Sequence, residues 1–510
     1  MEVKETLVRI KNFKYMLIAE GAAAGLLAGF AVSVFRLGIS GVEILRDKLT
    51  ENGLSIISLV FFTALYLVTL ACLKFENNCS GSGIPHIKGE LEGRFHVSWI
   101  KVLPAKIIGG ICATGAGLSV GREGPSVQIG AMAAKGFSSL TNRLRTEERL
   151  LITAGAGAGL AAAFNAPLAG VVFSLEELHK NLSLELMLTS MAACVTSDFV
   201  SSYIFGLNPV FSVIPQSVLP LRTYWLLIIF GIILGISGAL YNLSLKEIQK
   251  AYKKIPFTWI RLLIPFAAAA VLCRTYPYIL GGGNHIVDMI AETPWTVSAL
   301  LVLLAAKFIY SMISFCSGTP GGIFLPLLVL GAVTGAAFAQ LTGYAEFTDN
   351  FIILGMAGYF TAIVRSPITG IILISEMTGS LSHLLSLSLV CLTAYIVADL
   401  LGARPVYDQL LDAMTVSERP ARDRKIIIES MVVCGALMDN RPIREFSPPE
   451  GVLIISIDRN GSEIVPSGDT VLKGGDELLL LCSESRLKET KDILFQKCEQ
   501  AKEFISATQK

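Results

Sequence analysis

Three clusters of glycine, proline and glutamate recur in this chain at a single shift of 200 or 201 residues. Gly81-Ser82-Gly83 meets Gly281-Gly282-Gly283, and Gly121, Pro125 and Gly130 meet Gly322, Pro326 and Gly331. Pro167, Gly170 and Glu176 likewise meet Pro367, Gly370 and Glu376. Separate motifs that share one offset mark a duplication, and duplicated halves are how many transporter folds are built. The halves run from about 12–206 and 222–406, joined by the Pro-containing loop around Asn208–Pro220. If the halves are inverted, helix N-termini from both approach one another near the membrane midplane. Their free N–H groups then hold an anion without a full positive charge.

The solvent for such a fold follows from composition. Hydrophobic residues make up 53% of the 510 and charged residues 16%, with a mean hydropathy of +0.61 and a formal charge of +1. That balance predicts a polytopic membrane protein. Charge-free runs at Leu54–Leu73, Leu151–Leu175, Thr223–Leu245, Phe308–Ala345 and Met377–Ala398 are each long enough for the roughly 20 residues that cross a bilayer. Several are cut by Gly and Pro and read as pairs of partial helices. Near-neutral charge, with no basic patch interleaved by aromatics, argues against nucleic acid as a partner.

Lys4, Arg9, Lys11 and Lys14 precede the apolar segment 15–35, which has no distinct cleavage site after it, so this start does not read as a removable signal. Positive charge there, and in the groups Arg143, Arg145, Arg149 and Lys246, Lys250, Lys253, Lys254, Arg261, predicts cytoplasmic ends and loops. The ten cysteines are scattered, with no CxxC pair and no His at metal spacing, and read as apolar filler. No metal and no cofactor are expected.

The local chemistry concentrates at Gly121-Arg122-Glu123-Gly124-Pro125-Ser126-Val127-Gln128-Ile129-Gly130. A helix is expected to begin here, since Pro125 suits a first turn and small apolar residues follow. The N–H groups of 124–127 then become free donors at the positive end of a helix dipole. Glu123 sits beside that anion site, where a carboxylate competes with the anion when charged and makes way when protonated. A surface carboxylate capping the helix is the other reading of Glu123.

Gly81–Pro85 (GSGIP), Gly121–Pro125 (GREGP), Gly155–Glu177 (GAGAGLAAAFNAPLAGVVFSLEE) and Gly321–Pro326 (GGIFLP) together resemble the CLC family of chloride channels and chloride/proton antiporters. Order and spacing both match, over about residues 20–410. The resemblance implies a homodimer with one anion pore per subunit, each subunit made of two inverted halves. It implies that the Ser82 hydroxyl, the Ile323 and Phe324 N–H groups and the Tyr407 hydroxyl contact a central anion. Neutral donors of this kind replace part of a hydration shell and still release the ion. Glu123 matches the external gating glutamate, and Glu177 the internal proton-handling glutamate of the antiporters. From the residues alone, Ser82 also reads as a helix N-cap, and Glu177 as an ion pair or helix-end carboxylate. Glu176, with its repeat partner Glu376, reads as structural. Lys106, Arg122 and Arg365 stand in apolar context and are read as internally paired or cavity-facing, chiefly structural.

After Tyr407 charges return, from Asp408 to Lys425 around Pro420, as a linker. Short β-rich runs follow at Ile426–Cys434, Gly451–Ile457 and Glu477–Cys482, with turn residues at Pro466-Ser467-Gly468-Asp469 and Gly474-Gly475-Asp476. The tail resembles a TrkA-C domain from about Ile428 to Leu494, which implies dimerisation and regulation by a small ligand; a purely structural dimerisation module is the other reading. The expected fold is an all-α polytopic membrane protein of two inverted repeats with broken helices, plus a small α+β cytoplasmic domain. Residues 1–410 form the membrane part, 411–425 the linker and 426–510 the tail.

The implied activity is chloride/proton antiport in the cell membrane, gated by a protonatable glutamate, with both termini cytoplasmic. A passive chloride channel and a fluoride/proton antiporter remain open, the latter against the chloride-type pattern of Ser82, Pro125 and Tyr407, and nitrate is open as a substrate. An enzyme reading of Gly121–Gly130 as a phosphate loop fails for want of the Gly-Lys-Ser/Thr ending, a catalytic triad or metal-ligand spacing.

Overall fold

The computed structural model of the chain describes residues 3–51, 55–180, 183–207, 209–211, 213, 219–415, 425–431, 440–446, 453–459, 462–473 and 476–483, with side chains described from Tyr15 to 414 and for part of the tail. The basic residues at 4–14, Asn208, much of the linker, Cys434, Gly451 and the Gly474-Gly475 turn lie outside the described residues or side chains. The chain divides into two units, Met1–Asp412 and Ala413–Lys510.

The first unit is two runs of eight helices and a closing one. The first run is α1 (Val3–Thr50), α2 (Ile56–Phe75), α3 (Ile84–Leu91), α4 (Trp99–Gly115), α5 (Glu123–Leu140), α6 (Arg145–Phe164), α7 (Pro167–Phe173) and α8 (Leu184–Phe205). The second is α9 (Tyr224–Lys253), α10 (Thr258–Thr275), α11 (Asn284–Glu292), α12 (Val297–Cys316), α13 (Phe324–Thr342), α14 (Thr348–Val364), α15 (Pro367–Thr378) and α16 (Leu384–Leu400). Helix α17 (Val406–Thr415) follows. Starts at 84 and 284, 167 and 367, and 184 and 384 keep the sequence offset, so the repeat is a repeat of elements. Eight helices among the described residues are long and apolar enough to cross a membrane.

The charge-free runs break where the glycine and proline pattern predicts. Leu151–Leu175 is divided by Asn165, whose φ of 52° ends α6 before Pro167 opens α7. A left-handed residue cannot continue a helix, and Asn is among the few that accept it cheaply. Arg365, at φ 73°, closes α14 in the same way before Pro367. Its guanidinium donates to the Tyr395 and Ala403 carbonyls at 2.7 and 2.8 Å, which fits the structural role read for it.

Inversion is visible where the halves meet. Gly121 and Gly322 exchange backbone hydrogen bonds of 2.6 and 2.7 Å as an antiparallel bridge, so the equivalent helices α5 and α13 leave one point in opposite directions. Close backbone approach explains the shared glycines. A Cβ on Gly322 would lie 2.9 Å from the Gly124 nitrogen, and one on Gly124 would lie 2.8 Å from the Ser82 carbonyl oxygen. Further along the same helices, Gly130 abuts Gly155 and Gly159, and Gly331 abuts Gly355, letting α5 pack on α6 and α13 on α14 without intervening side chains.

The paired glutamates Glu176 and Glu376 are reciprocal caps. Glu376 accepts from the Leu168 and Ala169 amides at 3.0 and 2.7 Å, at the start of α7. Glu176 accepts from the Ile368 and Thr369 amides at 3.2 and 2.7 Å, at the start of α15. Each carboxylate thus satisfies orphan donors of the other half at a helix end where negative charge is favoured. Substituting either by Ala is expected to cost about 1–2 kcal/mol of stability, as loss of a cap does. Thermal unfolding of the purified variants checks this.

The described part of the tail is a four-stranded antiparallel sheet of β1 (Lys425–Met431), β2 (Leu453–Arg459), β3 (Ser462–Ile464) and β4 (Glu477–Ser483), in the order β1-β4-β2-β3. A short helix, α18 (Ile443–Phe446), precedes β2. Three strands coincide with the β-rich runs. The short β3 lacks the apolar length that marks a strand in sequence, and was not anticipated. Buried Asp476 holds Arg459 by two bonds of 2.7 Å.

Candidate anion and proton site

The site is built on two glycine loops, each tied by a buried lysine. Gly81 and Gly83 take φ of 59° and 89°, which glycine alone adopts without strain, and Gly83 rather than Ser82 is the N-cap of α3. Lys106 of α4 donates to the Cys79 and Gly81 carbonyls at 3.0 and 2.6 Å. In the second half Lys307 of α12 does the same for Ile279 and Gly281, at 3.0 and 2.6 Å. Both ammonium groups are fully buried. Lys106 therefore fixes the loop that carries Ser82. The offset from Lys106 already pointed to Lys307, which the sequence reading did not single out.

Ser82 is buried, its hydroxyl has no hydrogen-bond partner among the described residues, and its backbone and side chain lie against Gly124 at the start of α5. The N-cap reading of Ser82 is thereby overturned: the turn spends the glycine at the cap and leaves the serine side chain free for something else. Ile323 and Phe324 are fully buried at the N-terminus of α13. The Phe324 ring packs on Phe164 and Phe360, with centroids 5.4 and 4.6 Å away.

Glu123, the first residue of α5, is completely buried, which removes the surface-cap reading. One of its oxygens lies against Gly121, on the side where the Leu325 amide nitrogen also approaches. Its oxygens face the backbone amides of Glu123 itself and of Leu325, and no side chain among the described residues donates to them. The carboxylate is thus wedged between the start of its own helix and that of α13. Arg122 Nε is 4.0 Å from it, and the Arg122 side chain is partly exposed. A cavity of about 530 Å³ on this side is lined by Arg122, Gly281–Gly283 and Leu325.

Tyr407 on α17 is fully buried, and its hydroxyl also has no partner among the described residues. It lies within electrostatic reach of both Glu123 and Glu177, so one phenol is shared by the two candidate proton carriers. Buried hydroxyls are nearly always hydrogen-bonded, and Ser82 and Tyr407 are among the buried hydroxyls that have no partner among the described residues.

Glu177 lies in a π-helical turn, Ser174–His179, that continues α7. It is ion-paired: Lys88 of α3 donates to Oε1 at 2.9 Å, and the Ser366 hydroxyl donates to Oε2 at 2.9 Å. Lys88 also pairs with Asp408 of α17, which in turn pairs with Lys180 at 3.2 Å. The ion-pair reading of Glu177 is therefore what the geometry displays, and a proton role is compatible with it. Lys88, Ser366 and Asp408 were missed in sequence. Lys88 lies three residues beyond the GSGIP segment and Asp408 directly follows Tyr407, but partners this far apart are joined only by folding.

Helix N-termini from two duplicated halves, orphan hydroxyls and a buried carboxylate between them define a membrane protein built to handle a small ion. The sequence profile of the family described as "Voltage gated chloride channel" matches residues 59–399, and that of the TrkA-C domain matches 427–494. The "H(+)/Cl(-) exchange transporter ClcA" of Salmonella agona (strain SL483) is 34% identical over 422 residues, covering 78% of this chain and 89% of the relative. Among solved structures, a slow cyanobacterial Cl−/H+ antiporter superposes with a TM-score of 0.74 at 29% identity, covering 79% of this chain and 98% of that one. A CLC-type fluoride/proton antiporter shares the fold, with a TM-score of 0.67 at 23% identity, covering 77% and 97%. The chain belongs to the CLC family of voltage gated chloride channels, and it is a multi-pass membrane protein.

Proposed function

We propose that this protein exchanges chloride for protons across its membrane. The observation that carries the reading is Glu123, a fully buried carboxylate between the N-termini of α5 and α13, facing their backbone amides with no side-chain donor among the described residues. A charged carboxylate there stands where an anion would bind, and protonation releases it, so anion entry and proton movement share one group. The names of the relative from Salmonella agona and of the cyanobacterial structure support the same exchange. Chloride is held by the Ser82 hydroxyl, the Ile323 and Phe324 amides and the Tyr407 hydroxyl, and Glu177 passes protons on the other side. In proteoliposomes, a chloride gradient is expected to drive protons uphill. Chloride flux with no proton movement would make the protein a channel instead, and flux selective for fluoride would make it a fluoride/proton antiporter.

Ser82→Ala removes one of several donors and is expected to weaken anion binding by about tenfold without abolishing transport, as loss of a hydrogen bond to a charged group does. Bromide titration by calorimetry measures it, and anomalous density for bromide between Ser82, Phe324 and Tyr407 would locate the ion. We further propose a homodimer with both termini in the cytoplasm and no enzymatic activity. The tail, a TrkA-C domain by sequence, would regulate transport through a small ligand.

A further inference from the structure

We infer that Lys88 is a positioning residue for proton exchange, the counter-charge that Glu177 must share with Asp408 each time it takes up or gives up a proton. The inference rests on the reading of Glu177 as the inner proton carrier.

Three observations lead to it. Lys88 is buried, and its ammonium is bonded to two carboxylates from different elements, Glu177 of the π turn and Asp408 of α17. Both oxygens of Glu177 are engaged by donors, the Lys88 ammonium and the Ser366 hydroxyl, an arrangement that suits a carboxylate and disfavours a carboxylic acid. Yet a proton carrier must be able to become neutral. Asp408 resolves the conflict, because when Glu177 is protonated the ammonium keeps a carboxylate partner and is never left buried alone. Asp408 in turn is held by Lys180, whose side chain is half exposed.

Among the described residues, Lys88 and Asp408 are the charged groups that act on Glu177. From α17 comes also Tyr407. The helices α6 and α8 pack against the π turn as well, and α6 brings Arg149 against His179 rather than against Glu177. The pair formed by Lys88 and Asp408 is thus the electrostatic setting of Glu177, and Asp408 follows directly after Tyr407, the proposed anion contact. A shift of α17 would move that contact and the second partner of Lys88 together.

The test measures chloride-driven proton flux by the full-length protein in proteoliposomes, with pH varied in turn on each side. Removing the ammonium in Lys88→Met is expected to move the midpoint of the Glu177-side pH dependence upward by about one to three units, because an opposite charge at this distance favours the ionised acid. Asp408→Asn leaves the ammonium wholly to Glu177 and removes a neighbouring negative charge, so the midpoint should move downward. Lys88→Arg should restore the wild-type position. If Lys88→Met fails to insert, the direction of the Asp408→Asn shift decides alone. Glu177→Gln separates the two levels of the reading. If it abolishes proton coupling while the Lys88 and Asp408 variants leave the midpoint in place, the inference is overturned and the role of Glu177 stands. If Glu177→Gln keeps full coupling, both fall.

Discussion

Glu123→Gln and Glu123→Ala are expected to convert coupled exchange into passive chloride flow, with proton movement reduced by about a hundredfold or more and the pH dependence lost. The size follows from removing the carboxylate at the meeting point of α5 and α13, since a positioned proton carrier contributes at least that factor. The backbone donors of both helices remain, so the anion path is kept and loses its anion-like occupant. Stability should not fall with it. The carboxylate has no side-chain donor among the described residues and is fully buried, so a neutral amide or methyl in its place removes a desolvated charge. Chloride and proton flux measured together decide the matter, and preserved pH-dependent exchange would exclude Glu123 as the gate.

Glu177→Gln should abolish chloride-driven proton uptake while chloride flux persists. An amide cannot carry the proton, yet its oxygen still accepts from Ser366 or Lys88, and Lys88 keeps Asp408 as its charged partner. The variant is therefore expected to fold with its surroundings intact, so a loss of coupling would report on proton transfer. Continued proton pumping would place the inner proton carrier elsewhere.

The residues that the halves share and those they do not divide along functional lines. Glycines at 121 and 322, lysines at 106 and 307, and glutamates at 176 and 376 occupy matched places and hold the frame. At the candidate site the match fails: Ser82 faces Gly282 in the alignment of halves, Glu123 faces Phe324, and Glu177 faces Met377. The frame was legible in sequence because close backbone approach admits glycine alone and a capped helix end calls for a carboxylate, constraints that leave a fixed residue type at a fixed offset. The resemblance supplied the site positions. What neither supplied was the pairing of Lys88 with Glu177 and Asp408, because an ion pair across 89 residues has no local spacing rule. Strand β3 escaped for a different reason, since three residues are too few to show alternation.

The bridge between Gly121 and Gly322 also governs how the protein can be made. Residue 322 emerges from the ribosome 201 residues after its partner, so during synthesis the start of α5 waits with its amides and with Glu123 unmatched. The reciprocal caps are deferred in the same way, Glu176 until Ile368 and Thr369 arrive, and the start of α7 until Glu376 does. The first eight helices can enter the bilayer in order, but their helix ends become satisfied only when the second set closes over them. Assembly is thus a late, long-range event, and the anion path comes into being at the same moment as the mature fold.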